Sequence, residues 1–371
     1  MPVYDLGAEH VFAPGRQRAL FDLLDRMELV EEDQRLKAEP ATQAELELAH
    51  DPDYIEMVAA TSADQPQPEV FQPALSFGLG TSDNPIAPNQ HASARTVAGA
   101  TLECVRKVIR GELRHAFNPT GGLHHAVRRA ASGFCIYNDL VVGIRGARDL
   151  GLPRVLYVDF DVHHGDGVEF AFNHDPSVMT VSFHQSPETL FPGTGRVTDL
   201  GHGEGHGRVV NLPLAPYTDD DSWWYCVETL LPAVARQFRP SMIISQHGCD
   251  PHREDPLAQL ELTTRPMRRA AALCKTLAEE LCEGRWVATG GGGYQPLRVL
   301  PRAWTMVWTE MTGKDLSPEL APEWIEAWQH ASEQPLTRTF EDDPASRSSA
   351  SSRAASTNER TLETLMASLG L

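Results

Sequence analysis

Between residues 155 and 167 the chain reads Val-Leu-Tyr-Val-Asp-Phe-Asp-Val-His-His-Gly-Asp-Gly. The apolar opening predicts a buried strand. In extended backbone Asp159, Asp161 and His163 share one face, while Phe160 and Val162 point the other way. Two carboxylates and an imidazole delivered into one small volume make a mixed oxygen and nitrogen metal site. A strand end capped by polar residues would account for one such acid or histidine. It does not account for five titratable residues in the eight positions from Asp159 to Asp166, whose repulsion and desolvation would cost several kcal/mol without a cation or partners.

Further chemistry-bearing residues stand at the ends of other apolar runs. Gly121-Gly-Leu-His-His-Ala126 sets adjacent histidines after two glycines. Neighbouring side chains diverge in an extended loop and need separate partners. Asp159 and Asp166 are the natural ones, because a carboxylate that holds an imidazole N–H fixes its tautomer and raises its basicity. A pair of surface loop histidines is the plainer reading of the same residues. Met242-Ile-Ile-Ser245 runs into Gln246-His-Gly-Cys-Asp250, so Asp250 reads either as a helix N-cap or as a partner for Asp161 and His163 at a sheet edge. Trp286-Val-Ala-Thr289 ends in four glycines and Tyr294. Those glycines permit close backbone approaches and bring a phenol to the same edge. Neither a G-x-x-x-x-G-K-[ST] lysine nor a G-x-G-x-x-G opening a helix is present, which excludes nucleotide binding.

The elements that must position these residues follow from periodicity. Residues 155–160, 178–183, 242–245 and 286–289 predict buried strands, and about 92–110, 222–238 and 264–283 predict amphipathic helices. Such alternation implies one α/β domain, a mostly parallel central sheet with helices on both faces and the site at the carboxyl ends of its strands. With 371 residues, 41% of them apolar, the chain is long enough for a single large domain. Its polar, small-residue stretch predicts a boundary at 337/338, followed by a tail flexible over about 340–357 with a short helix over 361–371. Six cysteines without a C-x-x-C pair, and no basic-then-apolar N-terminus, predict a reduced cytoplasmic protein. No apolar run approaches the roughly 20 residues of a membrane span. A net charge of −19 argues against direct nucleic-acid binding and suits cationic partners, although acidic surfaces also serve solubility alone.

Together with Ala131-Ser-Gly-Phe-Cys-Ile-Tyr-Asn-Asp139, Val181-Ser-Phe-His184, Phe191-Pro-Gly-Thr-Gly195 and Asp255-Pro256, these motifs resemble the zinc-dependent, class I-like histone deacetylase family in order and spacing. The resemblance spans about residues 10–310. Gln246-His-Gly-Cys-Asp-Pro-His-Arg-Glu-Asp-Pro-Leu257 is most similar to the bacterial branch of acetoin utilization proteins.

The resemblance implies an arginase/deacetylase-like fold and hydrolysis of N6-acetyl-lysine in proteins. Asp161, His163 and Asp250 would hold Zn²⁺, with Fe²⁺ or Co²⁺ also suited to two carboxylates and an imidazole. His125 would be general base and then acid, with Asp166 its partner. His124 with Asp159 would tune the charge beside it, and Tyr294 would donate to the oxyanion. Gly133, Phe134 and Phe191 would flank the acetyl-lysine methylenes, with Leu257 at the rim and Asp83 on the substrate backbone. A structural K⁺ would use Asp159, Asp161, His163, Ser182 and Phe183. Acetylated proteins such as an acyl-CoA synthetase would be the partners. An acetylpolyamine amidohydrolase shares the metal site, but no long insertion narrows the mouth between Asp83 and His91. A non-catalytic acetyl-lysine-binding scaffold would be expected to lack a ligand or the tyrosine. Leu257, where eukaryotic relatives usually carry methionine, and the Pro251–Glu254 insert set this chain's rim apart.

Overall fold

The computed structural model describes residues 4, 6, 10–12, 15–344 and 347–371. Six strands, β1 (His115–Asn118), β2 (Val155–Asp159), β3 (Val178–Gln185), β4 (Val209–Leu214), β5 (Met242–Gln246) and β6 (Trp286–Thr289), form one all-parallel sheet. Their order is β1-β6-β5-β2-β3-β4. The chain winds outward from β2 through β3 to β4, then returns to the other side of β2 as β5. That reversal opens a crevice past the carboxyl ends of β2 and β5, where open α/β sheets bind ligands. Asp161 and His163 follow β2, and Asp250 follows β5.

Every residue of β2 is buried, which requires helices on both faces. Leu156 and Val158 join a core with Phe183, Trp223 and Trp304 from the helices Asp220–Phe238 and Leu300–Thr312 and from β3. Val155 and Tyr157 enter the opposite core with Leu102 and Ile144, from the helices Gln90–Ile109 and Asp139–Asp149. The period-two alternation of one strand thus divides the molecule into two apolar layers.

Several elements differ from the sequence expectation. The strand predicted to run to residue 160 ends at Asp159. Asp161 and His163 therefore leave the sheet's end in a loop rather than along a strand face. β1 is only four residues with one large apolar side chain, too short for its pattern to register. β4 contains Pro213, which is tolerated because β4 is an edge strand that leaves one side of its ladder unpaired.

The tail expected to be flexible with a short terminal helix is instead a 21-residue helix, Ser349–Leu369; residues 345 and 346 lie outside the described residues. Ser348 caps it, and it packs against β4 and the helix Asp220–Phe238. Its apolar stripe is interrupted by polar residues, but Leu362 and Leu365 complete one core. Buried Asn358 accepts from Ala215 N and donates to Thr218 Oγ1 and Ser222 Oγ. Nor does a boundary fall at 337/338. Asp342 is buried and accepts from Arg302 Nη1 (3.0 Å), His252 Nε2 (2.9 Å) and Thr264 N (3.1 Å).

All six cysteines are free and buried. Among the described residues no helix is long and apolar enough to cross a membrane.

Leu365→Ala is expected to destabilise the protein by about 2–5 kcal/mol in urea unfolding, as for other buried leucines; a change within error would mean that the terminal helix is an ornament. Burial disfavours the Asp342 charge, yet the His252 hydrogen bond and the Arg302 charge outweigh it and hold this carboxyl well below its ordinary value of 3.8. The stability it contributes is therefore complete above pH 4 or so and is lost as pH falls below that. Asp342→Asn should be less stable than the parent at pH 7, and the gap should shrink on acidification.

A candidate metal centre at the carboxyl edge of the sheet

Asp161, His163 and Asp250 are buried, and one ligand atom from each lies within 4.8 Å of the others. Each carboxylate turns one oxygen inward while the protein holds the other, and the inward oxygen of Asp161 also accepts from His163 N at 3.0 Å. Asp161 Oδ2 accepts from Gln246 Nε2 and Gly292 N, both at 2.7 Å, and Asp250 Oδ1 accepts from Val162 N at 2.9 Å. The remaining oxygens, Asp161 Oδ1 and Asp250 Oδ2, each lie 3.1 Å from His163 Nδ1. One ring nitrogen carries at most one proton, so it cannot hydrogen-bond fully to both. A divalent cation accepts all three donors at once, and that is the sense in which the residues fit a metal.

The charges say the same. Burial and the neighbouring Asp161 charge push Asp250 up. Burial opposes a proton on His163, but the bonds and charges of Asp161 and Asp250 outweigh it and raise the ring to about 10.

Beside this cluster runs a second chain of titratable groups. Asp159 Oδ2 accepts from Tyr157 Oη (2.6 Å) and meets His124 Nδ1 at 2.7 Å. His124 Nε2 lies 3.0 Å from His125 Nε2, and His125 Nδ1 lies 2.7 Å from Asp166 Oδ1. The structure thus gives the two histidines the separate carboxylates anticipated from their divergence. Their environments drive them apart. Burial lowers His124, but Asp159 and then Asp161 overcome it and raise the ring to about 9. Burial and the adjacent His124 charge lower His125 to about 4. With Nδ1–H directed at Asp166, neutral His125 keeps a lone pair on Nε2, as a base requires.

Tyr294 follows the glycine run. Burial and the Asp250 and Asp161 charges raise its phenol well above 10.0, so it stays a proton donor. A Cβ at Gly292 would stand 2.0 Å from Asp250 Oδ2, which explains why glycine is needed where that loop crosses the metal carboxylates. Gly133 adopts φ +50°, and a Cβ there would meet His125 Cδ2 at 2.3 Å.

Aromatic walls rise over the cluster. The Phe191 ring is 5.0 Å from that of His125 and 6.4 Å from that of His163, and it is 44% exposed at the mouth. Phe134 stands edge-on to Tyr294 at 5.9 Å. Asp83 is exposed, and its backbone faces the His10 ring, which contacts Phe134 at 4.7 Å. Leu257 is half-buried, its N–H bonded to Asp255 Oδ1. Ser182 lies opposite Asp159 in the β2–β3 register, and Phe183 turns into the core against Phe160.

Other residues that build the site escaped the sequence reading. Asn138 Nδ2 bonds the carbonyls of His124 and Ala126, and Asp139 receives the N–H groups of Gly122 and Leu123, so this pair holds the histidine loop. Gln246 and Asp255 lie inside motifs already singled out, and Gln246 could have been found as a polar residue at a buried strand end. Arg16 carries no such signal. It comes from the far N-terminal helix to bond the carbonyls of Gly291 (2.6 Å) and Gly293 (3.0 Å), and only the fold brings it there.

Comparison with known proteins follows the same lines. The histone deacetylase domain model matches residues 10–311. The acetoin utilization protein AcuC of Bacillus subtilis (strain 168) is 40% identical over 339 residues, 91% of this chain and 87% of that one. AcuC of Staphylococcus aureus (strain MRSA252) is 34% identical over 340 residues, with the same coverage. Among solved structures, an HDAC homolog complexed with SAHA superposes with a TM-score of 0.88 at 30% identity, over 98% of this chain and 96% of that one. An HDAC homolog from Aquifex aeolicus gives 0.87 at 30% identity, with the same coverage.

Because a cation must displace the protons that Asp250 and His163 hold in its absence, binding should release at least one proton per ion near pH 7 and weaken as pH falls. Titration calorimetry in buffers of different ionisation enthalpy reads that number directly. Asp250→Ala should lose the ion; stoichiometric zinc retained after dialysis would remove Asp250 from the centre.

Proposed function

The chain belongs to the histone deacetylase family, in the branch that holds the acetoin utilization proteins, and from that premise we propose that it hydrolyses the acetamide of N6-acetyl-lysine in proteins. The observation that carries the proposal is the meeting, at one sheet edge, of three inward-turned metal ligands, a neutral histidine base and a phenol that keeps its proton, all beneath two aromatic walls.

Asp161 Oδ1, His163 Nδ1 and Asp250 Oδ2 would hold zinc, with Fe²⁺ or Co²⁺ as alternatives, and the ion would supply Lewis acidity for the acetamide carbonyl and its attacking water. The chain's own residues do the rest. Phe134 and Phe191 admit a thin aliphatic stem and exclude bulk water around it. His125 Nε2 takes a proton from the water as its oxygen attacks the carbonyl carbon, with Asp166 fixing the ring and stabilising its charge. Tyr294 Oη donates to the carbonyl oxygen as negative charge develops there. When the C–N bond breaks, His125 returns the proton to the departing lysine nitrogen, leaving acetate and a free amine. His124, already charged and paired with Asp159, keeps a positive field beside a step that builds negative charge. No covalent intermediate is needed.

The net charge of −19 also suits a cationic acetylpolyamine, so the test sets the two substrates side by side. The metal-loaded protein should release acetate faster from an acetyl-lysine peptide than from an N-acetylpolyamine at equal concentration. The reverse order would move the assignment to polyamines, and no release from either would point to a binding scaffold. Tyr294→Phe should retain metal and lose rate by about 2.7–4 kcal/mol, roughly a hundred- to a thousandfold, as when other single oxyanion donors are removed.

A further inference from the structure

Tyr294 follows four consecutive glycines, and Gly291 and Gly293 take φ values of 152° and 146°. Those glycines let the loop cross Asp161 and Asp250 closely, but such backbone does little to fix what comes after it. Something else has to hold Tyr294. Its backbone N–H donates to Asp255 Oδ2 at 2.9 Å, and the other oxygen of that carboxylate receives Leu257 N at 3.0 Å. Asp255 thus ties the tyrosine to the rim, and its own position becomes the question.

A closed circuit of bonds answers it. The His252 ring is buried and held at both nitrogens. Nδ1 accepts from Glu254 N at 3.1 Å, so the proton sits on Nε2, which donates to Asp342 Oδ2 at 2.9 Å. Asp342 Oδ1 accepts from the fully buried Arg302, whose Nε bonds the carbonyl of Arg298. Arg298 grips the Glu254 carboxylate with two bonds of 2.6 and 2.7 Å, and Gln295 Nε2 bonds the Glu254 carbonyl. Within the loop, Asp255 N bonds the carbonyl of His252 at 2.8 Å. The segment from metal ligand to rim is therefore fastened to the backbone that carries Tyr294 at two points, and Asp342 closes the ring from beyond the stretch that the family model matches.

We propose that His252, clamped by Asp342, is a positioning residue that sets Tyr294 through Asp255, which makes the segment ending at Asp342 part of the reaction's machinery. The inference rests on the reading of Tyr294 as the oxyanion donor.

The test uses the full, metal-loaded chain with His252→Phe, which fills the ring's volume and leaves the Arg302–Asp342 pair and the Thr264 bond in place. Two quantities are read: acetamide turnover, and amide exchange in peptides covering 251–257 and 290–296. The expected result is a kcat reduced roughly ten- to a hundredfold with KM within about twofold, the signature of a misplaced transition-state contact. Exchange should quicken in both peptides while metal content stays at the parental level. His252→Gln, which can return an N–H to Asp342, should recover part of the rate and of the protection. It also serves if the phenylalanine variant does not fold.

Parental kcat with unchanged exchange would overturn the proposal. So would a rate loss that tracks lost metal, since the ring would then serve Asp250 and not Tyr294. If the parent hydrolyses no acetamide, the deacetylase reading fails by itself, and exchange at 290–296 alone decides whether the clamp exists.

Discussion

Asp161 and Asp250 bring two carboxylates together in a buried crevice, so close that the charge of the first resists ionisation of the second. The surroundings accept that cost and arrange themselves around it. Gln246, Gly292 N and Val162 N each bind an outer carboxylate oxygen, so that the inner ones converge on His163. The reversal between β2 and β5 brings the two acids together from residues almost ninety apart in sequence. Gly292 lacks a side chain because that donor N–H must come within bonding distance of the carboxylate. Each of these features makes sense once the carboxylates are taken as prepared for a positive ion, and none is explained by stability alone.

A second ordering principle is the separation of the two adjacent histidines. They have the same chemistry and nearly the same burial, yet one is charged and the other neutral because their carboxylate partners sit differently. Asp159 acts on His124 with Asp161 behind it, whereas His125 feels the charge of His124 at 3.0 Å. Two neighbouring residues thereby take different roles without any difference in residue type.

Much of this was legible in the sequence because the signals are local. The acids and histidines of 159–166, the glycine run and Asp250 stand within a few residues of strands whose apolar runs are plain. The parallel sheet and the meeting of side chains at its edge follow from alternation and from where strands end. What stayed hidden depends on contacts distant in the chain. Arg16 reaches the glycine loop across some 275 positions, and nothing around it in sequence marks it. The helix Ser349–Leu369 was obscured by its exposed serines, whose hydroxyls bond back to its own carbonyls, and its buried leucines find their cover only against β4 and the helix Asp220–Phe238. Asp342 looked like part of a polar tail because the guanidinium that receives it lies forty residues upstream.

That terminal helix also has a bearing on how the chain is made. β4 is an edge strand of the sheet, and it gains its cover from Leu362, Leu365 and Asn358 only when the helix Ser349–Leu369 is in place. During synthesis the sheet can be assembled while this flank is still bare, and an uncovered strand is the part of a nascent protein most prone to pair with another chain. The helix Ser349–Leu369 therefore works as a built-in guard. A deletion of this helix would first show itself in the yield of soluble protein, before any effect on the chemistry.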